Sequence, residues 1–169
     1  FGLDTTASGI YSTAFGQTTT ASGSAAVAFG TGNTASGNSS AAFGQNTLAT
    51  VQGATSFGQN TQANGINSIA AGTNTNVNSQ NAVAFGNSNG IDNNSDNVIV
   101  GGNTNISLNS PNAAMFGQGN NLNAANSALI IGQGNTASNS NSITSGSSNQ
   151  NQAQSSITFG TSNSLVNNS

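Results

Sequence analysis

The sequence lacks most of the side chains that perform chemistry in proteins. Its 169 residues include no Lys, Arg, His, Glu or Cys, and the ionisable side chains are Asp4, Asp92, Asp96 and Tyr11. Charged residues make up 2% of the chain, against about 25% in an average soluble domain. Acid–base catalysis and activated Ser or Thr nucleophiles both need a basic partner within reach. We therefore predict no catalytic residue and no cofactor, so the protein is not an enzyme.

The same absences narrow the range of partners. Zinc sites use Cys, His or carboxylates, and nucleic-acid binding relies on Lys and Arg that neutralise phosphates. We therefore predict no metal site and no nucleic acid, and we interpret Asp92 and Asp96 as loop residues rather than calcium ligands. No apolar run approaches the ~20 residues of a membrane helix. Because there is also no basic cluster to hold an anionic membrane surface, no direct membrane insertion is predicted.

What the chain has in abundance is Gly, Ser, Thr, Asn and Gln, arranged with a period. A glycine recurs every 14 residues and later every 14 to 16, which is the signature of a stacked repeat protein. The series is Gly2, Gly16, Gly30, Gly44, Gly58, Gly72, Gly86, Gly101, Gly117, Gly132, Gly146 and Gly160. We choose Gly101 over Gly102 because it brings Thr104 and Ile106 into the columns described next.

Three further columns keep this spacing. The residue before the glycine is mostly Phe or aliphatic, the residue three after it is always Thr or Asn, and the residue five after it is mostly Ala or aliphatic. Apolar residues two apart indicate strands with one buried face. A disordered, low-complexity linker has no reason to keep such columns.

The pattern predicts an all-β fold, a parallel β-solenoid (β-roll) of about twelve 14–16-residue turns with two short strands per turn. Each strand pairs with its counterpart one turn along, ~4.8 Å away, which makes a rod on the order of 55 Å long. Residues 1–86 form the regular 14-residue repeats, and residues 87–169 form a less regular continuation of the same solenoid. The extra residues are expected in outward loops near Asp92, Pro111 and Asn126.

Stacking places like side chains on top of one another. The expected structural core is the column Phe15, Phe29, Phe43, Phe57, Phe85, Phe116, Ile131 and Phe159. The expected turn glycines are Gly16, Gly30, Gly44, Gly58, Gly72 and Gly86, with a second turn at Gly9, Gly23, Gly37 or Gly65. The Thr/Asn column is expected to face inward or to sit at a corner, and to form a ladder of hydrogen bonds along the axis. Stacked charges would repel one another, which accounts for the charge-poor composition.

Two short motifs alternate in the first half of the chain. Ser12-Thr13-Ala14-Phe15-Gly16 is followed by Ala21-Ser22-Gly23, and comparable units recur one and more repeats later. These repeats resemble the YadA-like head of trimeric autotransporter adhesins, whose units read Ser-x-Ala-(Ile/Val/Leu)-Gly and then Ala-x-Gly. The resemblance covers residues 1–86 well and residues 87–169 loosely. It implies a left-handed parallel β-roll, a homotrimer and a role in attachment at a bacterial surface.

The predicted function is therefore a non-enzymatic, extracellular structural or adhesive segment: the head-like β-roll of an adhesin at the cell surface, facing host or surface ligands. Each turn buries little apolar surface, which favours a homo-oligomer, with a trimer as the first choice. A head-to-tail filament is the second choice, because the terminal repeats look like interior ones. The alternative is a subunit of an extracellular filament or phage tail fibre that acts as a rigid spacer. Further alternatives are an ice-binding solenoid with an exposed Thr array, a functional amyloid, and a disordered segment carrying the eight Phe-Gly dipeptides.

Overall fold

The structure, a computed structural model, describes residues 1–166. Residues 167–169, the end of the predicted continuation, lie outside the described part. Residues 1–166 form two parallel sheets of twelve strands each, with one strand of each sheet in every turn and no helix. The predicted fold class, an all-β parallel solenoid with two short strands per turn, is confirmed.

Sheet A contains the longer strand of each turn, which has five residues in all turns but the first. Its strands are β1 Gly2–Leu3, β3 Thr13–Gln17, β5 Val27–Thr31, β7 Ala41–Gln45, β9 Thr55–Gln59, β11 Ile69–Thr73, β13 Val83–Asn87, β15 Ile99–Asn103, β17 Ala114–Gln118, β19 Leu129–Gln133, β21 Ile143–Ser147 and β23 Ile157–Thr161. Sheet B contains the shorter strand. Its strands are β2 Thr6–Ala7, β4 Thr20–Ala21, β6 Thr34–Ala35, β8 Leu48–Ala49, β10 Gln62–Ala63, β12 Asn76–Val77, β14 Gly90–Ile91, β16 Ile106–Leu108, β18 Asn121–Asn123, β20 Thr136–Ala137, β22 Gln150–Gln152 and β24 Ser164–Val166.

Each strand pairs in parallel with its counterpart in the next turn, so like residues lie side by side. Gly16 pairs with Gly30 in sheet A, and Ala21 pairs with Ala35 in sheet B. The pairing continues through the described chain, and the twelve turns make a rod about 53 Å long at ~4.8 Å per turn.

The choice of Gly101 as the repeat glycine was wrong. Gly86 pairs with Gly102, and Gly102 pairs with Gly117, while Gly101 occupies the position that Phe takes in other turns. With this register Val100 points into the core and is fully buried. Ile106 instead faces outward and is 43% exposed. A glycine pair gives two registers one residue apart, and a shift by one residue moves every side chain to the opposite face.

The core is a thin layer between the two sheets, filled in the first half by small side chains. Sheet A contributes the residue two before the glycine, and sheet B the residue five after it. Alanine dominates both sets, as at Ala28, Ala42, Ala35 and Ala49. In the second half the same positions hold Val100, Met115, Ile130 and Leu122, all fully buried. The apolar column that was expected five after the glycine does face inward.

The residues predicted as the structural core do not lie in the core of the single chain. Phe15, Phe29, Phe57, Phe85, Phe116, Ile131 and Phe159 are between 37% and 67% exposed, and Phe43 is half-buried. They stand on the outer face of sheet A, because the neighbouring residue two before the glycine takes the inner face and alternate residues of a strand point to opposite sides. The space between the sheets fits Ala, and a ring is too large for it.

The predicted turn glycines also occupy a different place. Gly16, Gly30, Gly44, Gly58, Gly72 and Gly86 are the fourth residues of five-residue strands, and the turns lie elsewhere. Gly16 has a φ of 131°, and a Cβ on it would lie 1.8 Å from the carbonyl oxygen of Gly30. Only glycine adopts this backbone and allows this approach. The second predicted turn, at Gly9, Gly23, Gly37 and Gly65, does lie at bends between the strands.

Two columns of left-handed residues form the corners of each turn. One lies two residues after the repeat glycine and the other five before it, as at Asn74 (φ 52°) and Asn81 (φ 52°). Asn tolerates this conformation better than most residues. The longer turns place their extra residues at the second corner, where Pro111 lies in a turn as predicted.

Candidate interaction face of sheet A

The outer face of sheet A carries two apolar columns that run the length of the rod. The Phe column is the residue before the repeat glycine: Phe15, Phe29, Phe43, Phe57, Ala71, Phe85, Gly101, Phe116, Ile131, Ser145 and Phe159. The flank column is the residue three before that glycine: Thr13, Val27, Ala41, Thr55, Ile69, Val83, Ile99, Ala114, Leu129, Ile143 and Ile157. Both columns stand on the same side of each strand, because they are two residues apart.

Several rings of the Phe column contact a neighbouring ring in pairs. The ring centroids of Phe15 and Phe29 are 4.8 Å apart with an interplanar angle of 9°, which is a stacked pair. Phe43 and Phe57 are tilted, with centroids 6.2 Å apart. The rings therefore form short aromatic clusters along the surface of the single chain.

The outer face of sheet B is polar by comparison. Its outward residues stand four and six after the repeat glycine, and they are mostly Thr, Ser, Asn and Gln, as at Thr20, Ser22, Thr34 and Ser36. The most apolar stretch is β16, where Ile106 and Leu108 are 43% and 38% exposed. The two faces of the rod thus differ in chemistry, and the long apolar face belongs to sheet A.

A buried ladder of side chains stiffens the rod behind this face. Asn89, Asn105, Asn120, Asn135, Asn149 and Asn163 stack one turn apart, and each amide after the first donates to Oδ1 of the asparagine before it at 3.1–3.2 Å. The same Nδ2 atoms donate to the backbone carbonyls of sheet A, as from Asn120 to Gly132 at 2.8 Å. The predicted ladder is confirmed for these asparagines and for Thr47, which donates to Oδ1 of Asn33 at 2.8 Å, and the column faces inward. Among its threonines the hydroxyl of Thr19 has no hydrogen-bond partner within the described residues, so the ladder is not continuous in the first half.

The carboxylates of Asp92 and Asp96 are held in the loops by neutral donors. Asp92 accepts hydrogen bonds from the backbone N–H of Asn94 at 3.2 Å and of Asn109 at 3.0 Å. Asp96 accepts one from the side-chain amide of Gln80 at 2.8 Å. Both carboxylates therefore hold loop residues of neighbouring turns together by hydrogen bonds, in agreement with the loop interpretation.

The part of the chain that the structure describes shows neither an enclosed pocket nor a cluster of three or more metal-binding side chains. No helix able to cross a membrane occurs within residues 1–166.

A sequence profile of the YadA head domain repeat, built on two copies, matches five overlapping stretches. They are residues 7–33, 21–47, 35–61, 49–75 and 63–89. Successive matches start one 14-residue turn apart, which is the register of the sheets. Residues 7–89 are YadA head repeats. No curated protein matches the chain significantly.

The YadA head repeats confirm the resemblance read from the Ser-x-Ala-x-Gly and Ala-x-Gly motifs. Each two-copy match contains two neighbouring strands of sheet A and the strand of sheet B that lies between them in the chain. The family is a structural adhesin family, so the match supports an adhesin-like rather than an enzymatic role. From Gly90 onward the same two sheets continue outside the matched residues.

Two rival interpretations conflict with the structure. A disordered Phe-Gly segment is excluded by the ordered register of the rings and strands. Ice binding requires an exposed array of threonines. The candidate column, three residues after the glycine, contains Thr19, Thr47 and Thr61, and all three are buried. That column has no access to an ice surface.

Proposed function

We propose that this chain is the head-like β-roll of a surface adhesin, exposed outside the cell, in which copies associate through sheet A and attach through their polar exterior. The single observation that carries the proposal is the exposed, largely apolar face of sheet A on a chain whose residues 7–89 are YadA head repeats. The role of the residues first expected as the core, Phe15 to Phe159, is then to form the interface between copies.

The size of the apolar face supports association. Two columns about 7 Å apart and about 53 Å long form a strip of roughly 500 Å² once the width of the side chains is included. Monomeric soluble proteins rarely expose apolar patches larger than a few hundred Å². Aromatic side chains are also the residues most enriched at protein interfaces.

The thin core supports the same conclusion. In the first half the interior of each turn is built mostly from Ala, Ser and Thr, as at Ala42, Thr47, Ala49 and Ala54. Burial of a full Phe contributes about 1.5–3 kcal/mol relative to exposure, more than an alanine can supply. Removing the rings from water between copies therefore stabilises each turn where its own interior cannot.

The family favours three copies around one axis. In such an assembly sheet A faces the axis, and sheet B and the corner loops face the surroundings. The surface left for attachment carries Thr, Ser, Asn and Gln and no cation, so its ligands are recognised by hydrogen bonds and shape rather than by attraction to positive charge.

Sedimentation of the purified chain at micromolar concentration tests the association. We expect a single species of three times the 16.5 kDa chain mass. The double variant Phe29→Ser, Phe57→Ser is expected to dissociate. The matched control Leu48→Ser, which removes an apolar side chain from the outer face of sheet B, is expected to remain assembled. A folded monomer would contradict the proposal, and a series of larger rods would favour the filament.

Attachment is tested with beads coated with the assembled chain. We expect the beads to bind matrix-coated or cell surfaces, and beads coated with the dissociated double variant to bind less. Assembled beads that bind no surface in a broad panel would contradict the adhesive role and favour the rigid spacer. Turnover of any substrate would contradict a non-enzymatic role.

A further inference from the structure

The corner that lies five residues before the repeat glycine is left-handed in all eleven turns that contain it. Asn, Ser, Gly and Ala occupy ten of the eleven places, with φ between 52° and 67°. They are Ala25, Ser39, Gly53, Asn67, Asn81, Asn97, Asn112, Ser127, Asn141 and Ser155. The exception is Tyr11, whose φ is 59°. Tyr11 is also the only aromatic residue with a positive φ within residues 1–166.

A tyrosine at this corner makes the fold less stable. The left-handed conformation brings Cβ close to a carbonyl oxygen; Asn tolerates it through its short polar side chain, whereas a bulky residue is a conformational outlier. The ring gains little from the chain in return, because Tyr11 is 89% exposed. Strained residues that the fold itself does not require cluster at ligand-binding and catalytic sites. The outlier therefore marks this corner as a candidate binding site.

The exposure of the ring follows from its place at a corner. Ser24–Ala25 and Asn38–Ser39 occupy the same place one and two turns along, with a turn on either side, and all four residues are exposed. Beside Tyr11, Ile10 is 69% exposed. We call these six residues the Tyr11 corner. In the proposed assembly the corner loops face the surroundings, so this corner stays accessible to a ligand.

The backbone under the ring is held in place by the following turns. The N–H of Ala25 donates to the carbonyl of Ile10 at 2.7 Å, and the N–H of Ser39 donates to the carbonyl of Ser24 at 2.7 Å. A ligand therefore meets a preformed surface. Binding orders little of the chain, which lowers the entropic cost of association.

The Tyr11 corner offers hydrogen-bonding groups without charge. Tyr11 supplies an aromatic face and a phenol hydroxyl, Ser24 and Ser39 supply hydroxyls, and Asn38 supplies an amide. Oδ1 of Asn38 accepts the backbone N–H of Ser24 at 3.3 Å, which leaves Nδ2 to donate. The chain has no Lys or Arg, the residues that hold anionic ligands. This chemistry fits a neutral ligand with an apolar face and several hydroxyl groups.

We propose that the Tyr11 corner binds a pyranose ring of a neutral saccharide. The C–H face of such a ring packs on the aromatic face of Tyr11, whose apolar body and polar tip suit a ligand of mixed character. Because the turns are ~4.8 Å apart, Ser24 is within reach of the same sugar, and Asn38 and Ser39 are within reach of the next sugar of an oligosaccharide. This inference rests on the proposed attachment role and names a site and a ligand class for it.

Tyr11→Asn tests whether the tyrosine serves binding at the expense of stability. The substitution gives the corner its commonest residue, so we expect the melting temperature to rise by about 2–4 °C. Beads coated with the assembled variant are expected to attach to a mucin-coated surface about ten- to thirtyfold less than parent beads. A tyrosine without a role in binding would leave attachment unchanged.

Two further variants serve as controls. Thr18→Asn relieves the same backbone conformation at the other corner, where Thr18 has a φ of 54° and is exposed. It is expected to raise the melting temperature to a similar extent and to leave attachment unchanged. Tyr11→Phe keeps the aromatic face and the strain, and the loss of one exposed hydroxyl is expected to reduce attachment by about threefold.

Fluorescence reports on the ring directly, because Tyr11 is the only tyrosine and the chain has no Trp. The assembled parent is titrated with a galactose, a glucose and an N-acetylglucosamine trisaccharide. At least one of them is expected to change the tyrosine emission in a saturable manner, and Thr18→Asn is expected to give the same curve. No change with any of the three overturns the saccharide site.

Oxidation of the mucin sugars with periodate separates the classes of ligand. Attachment of parent beads is expected to be lost after oxidation. Attachment that persists, or that occurs only on surfaces without sugars, indicates a protein ligand and overturns the saccharide site. Equal attachment of parent and Tyr11→Asn beads overturns the Tyr11 corner alone, whereas parent beads that bind no surface in a broad panel contradict the adhesive role itself.

Discussion

Asn120 donates both its backbone N–H and its side-chain amide to one atom, Oδ1 of Asn105, at 3.0 and 3.1 Å. The two residues are 15 apart in the chain and one turn apart in the solenoid. Asn120 is in turn the acceptor for both donors of Asn135. One amide thus satisfies groups in three successive turns in a site closed to water, and the ladder sets the register of the turns.

Asn120→Ala is expected to lower the free energy of unfolding by about 2–4 kcal/mol, because the backbone N–H of Asn135 and the carbonyl of Gly132 lose a buried partner. Denaturant unfolding of the assembled chain measures the change. Asn123→Ala, at an exposed position of the adjoining strand β18, is the control and is expected to alter stability by less than about 0.5 kcal/mol. Equal effects of the two substitutions would contradict a stabilising role of the ladder.

Gly44→Ala is expected to prevent or severely weaken folding. A Cβ on Gly44 would lie 2.0 Å from the carbonyl oxygen of Gly58, at a backbone φ of 125°. Gly90→Ala is the matched control in sheet B, where a Cβ meets no atom within 4 Å. It is expected to be neutral or to stabilise by about 0.4–1 kcal/mol through the unfolded state. Thermal unfolding followed by circular dichroism compares the two, and a Gly44→Ala melting curve like that of the parent contradicts the close approach.

Thr144→Val is expected to stabilise the rod by about 1 kcal/mol. Thr144 is fully buried between the sheets, and its hydroxyl makes no hydrogen bond within the described residues. Thr61→Val is the control, because the equally buried hydroxyl of Thr61 contacts Ser56 Oγ at 2.7 Å. That substitution should destabilise the fold. The shifts in melting temperature are expected to have opposite signs, and a loss of stability in both variants would count against the unsatisfied hydroxyl.

Charge introduced along one column is expected to destabilise the solenoid in a salt-dependent manner. Thr6, Thr20 and Thr34 lie side by side on the outer face of sheet B. Lysine at all three positions places like charges ~4.8 Å apart, which costs about 1 kcal/mol per neighbouring pair in water. The variant with Lys, Glu and Lys at these positions is the control. Thermal unfolding is measured in low salt and in about 1 M salt. The higher salt concentration is expected to raise the melting temperature of the three-lysine variant, because it screens the repulsion, and to leave that of the control unchanged.

Much of the fold follows from the spacing of residues along the chain. A glycine every 14 residues, with Thr or Asn three later and Ala five later, is enough to predict parallel turns, two strands per turn and a Thr/Asn ladder that faces inward or sits at a corner. These features depend on period alone, because stacked turns place residues of equal phase side by side. The loops at Asp92 and Pro111 can be predicted in the same way, because their turns are longer than 14 residues and the extra residues must leave the sheets.

The tertiary structure decided which face of each strand is inside. Period-two alternation shows that Phe15 and Thr13 share a face, and that Ala14 takes the other, without stating which of the two faces the second sheet. The distance between the sheets settles it, since that distance is set by the side chains of both strands at once. Ala14 and Ala28 fit the gap and the rings of Phe15 and Phe29 do not. The same steric limit selected Gly102 over Gly101, because only with Gly102 in register does Val100 enter the core and leave Gly101 beneath the rings of its neighbours.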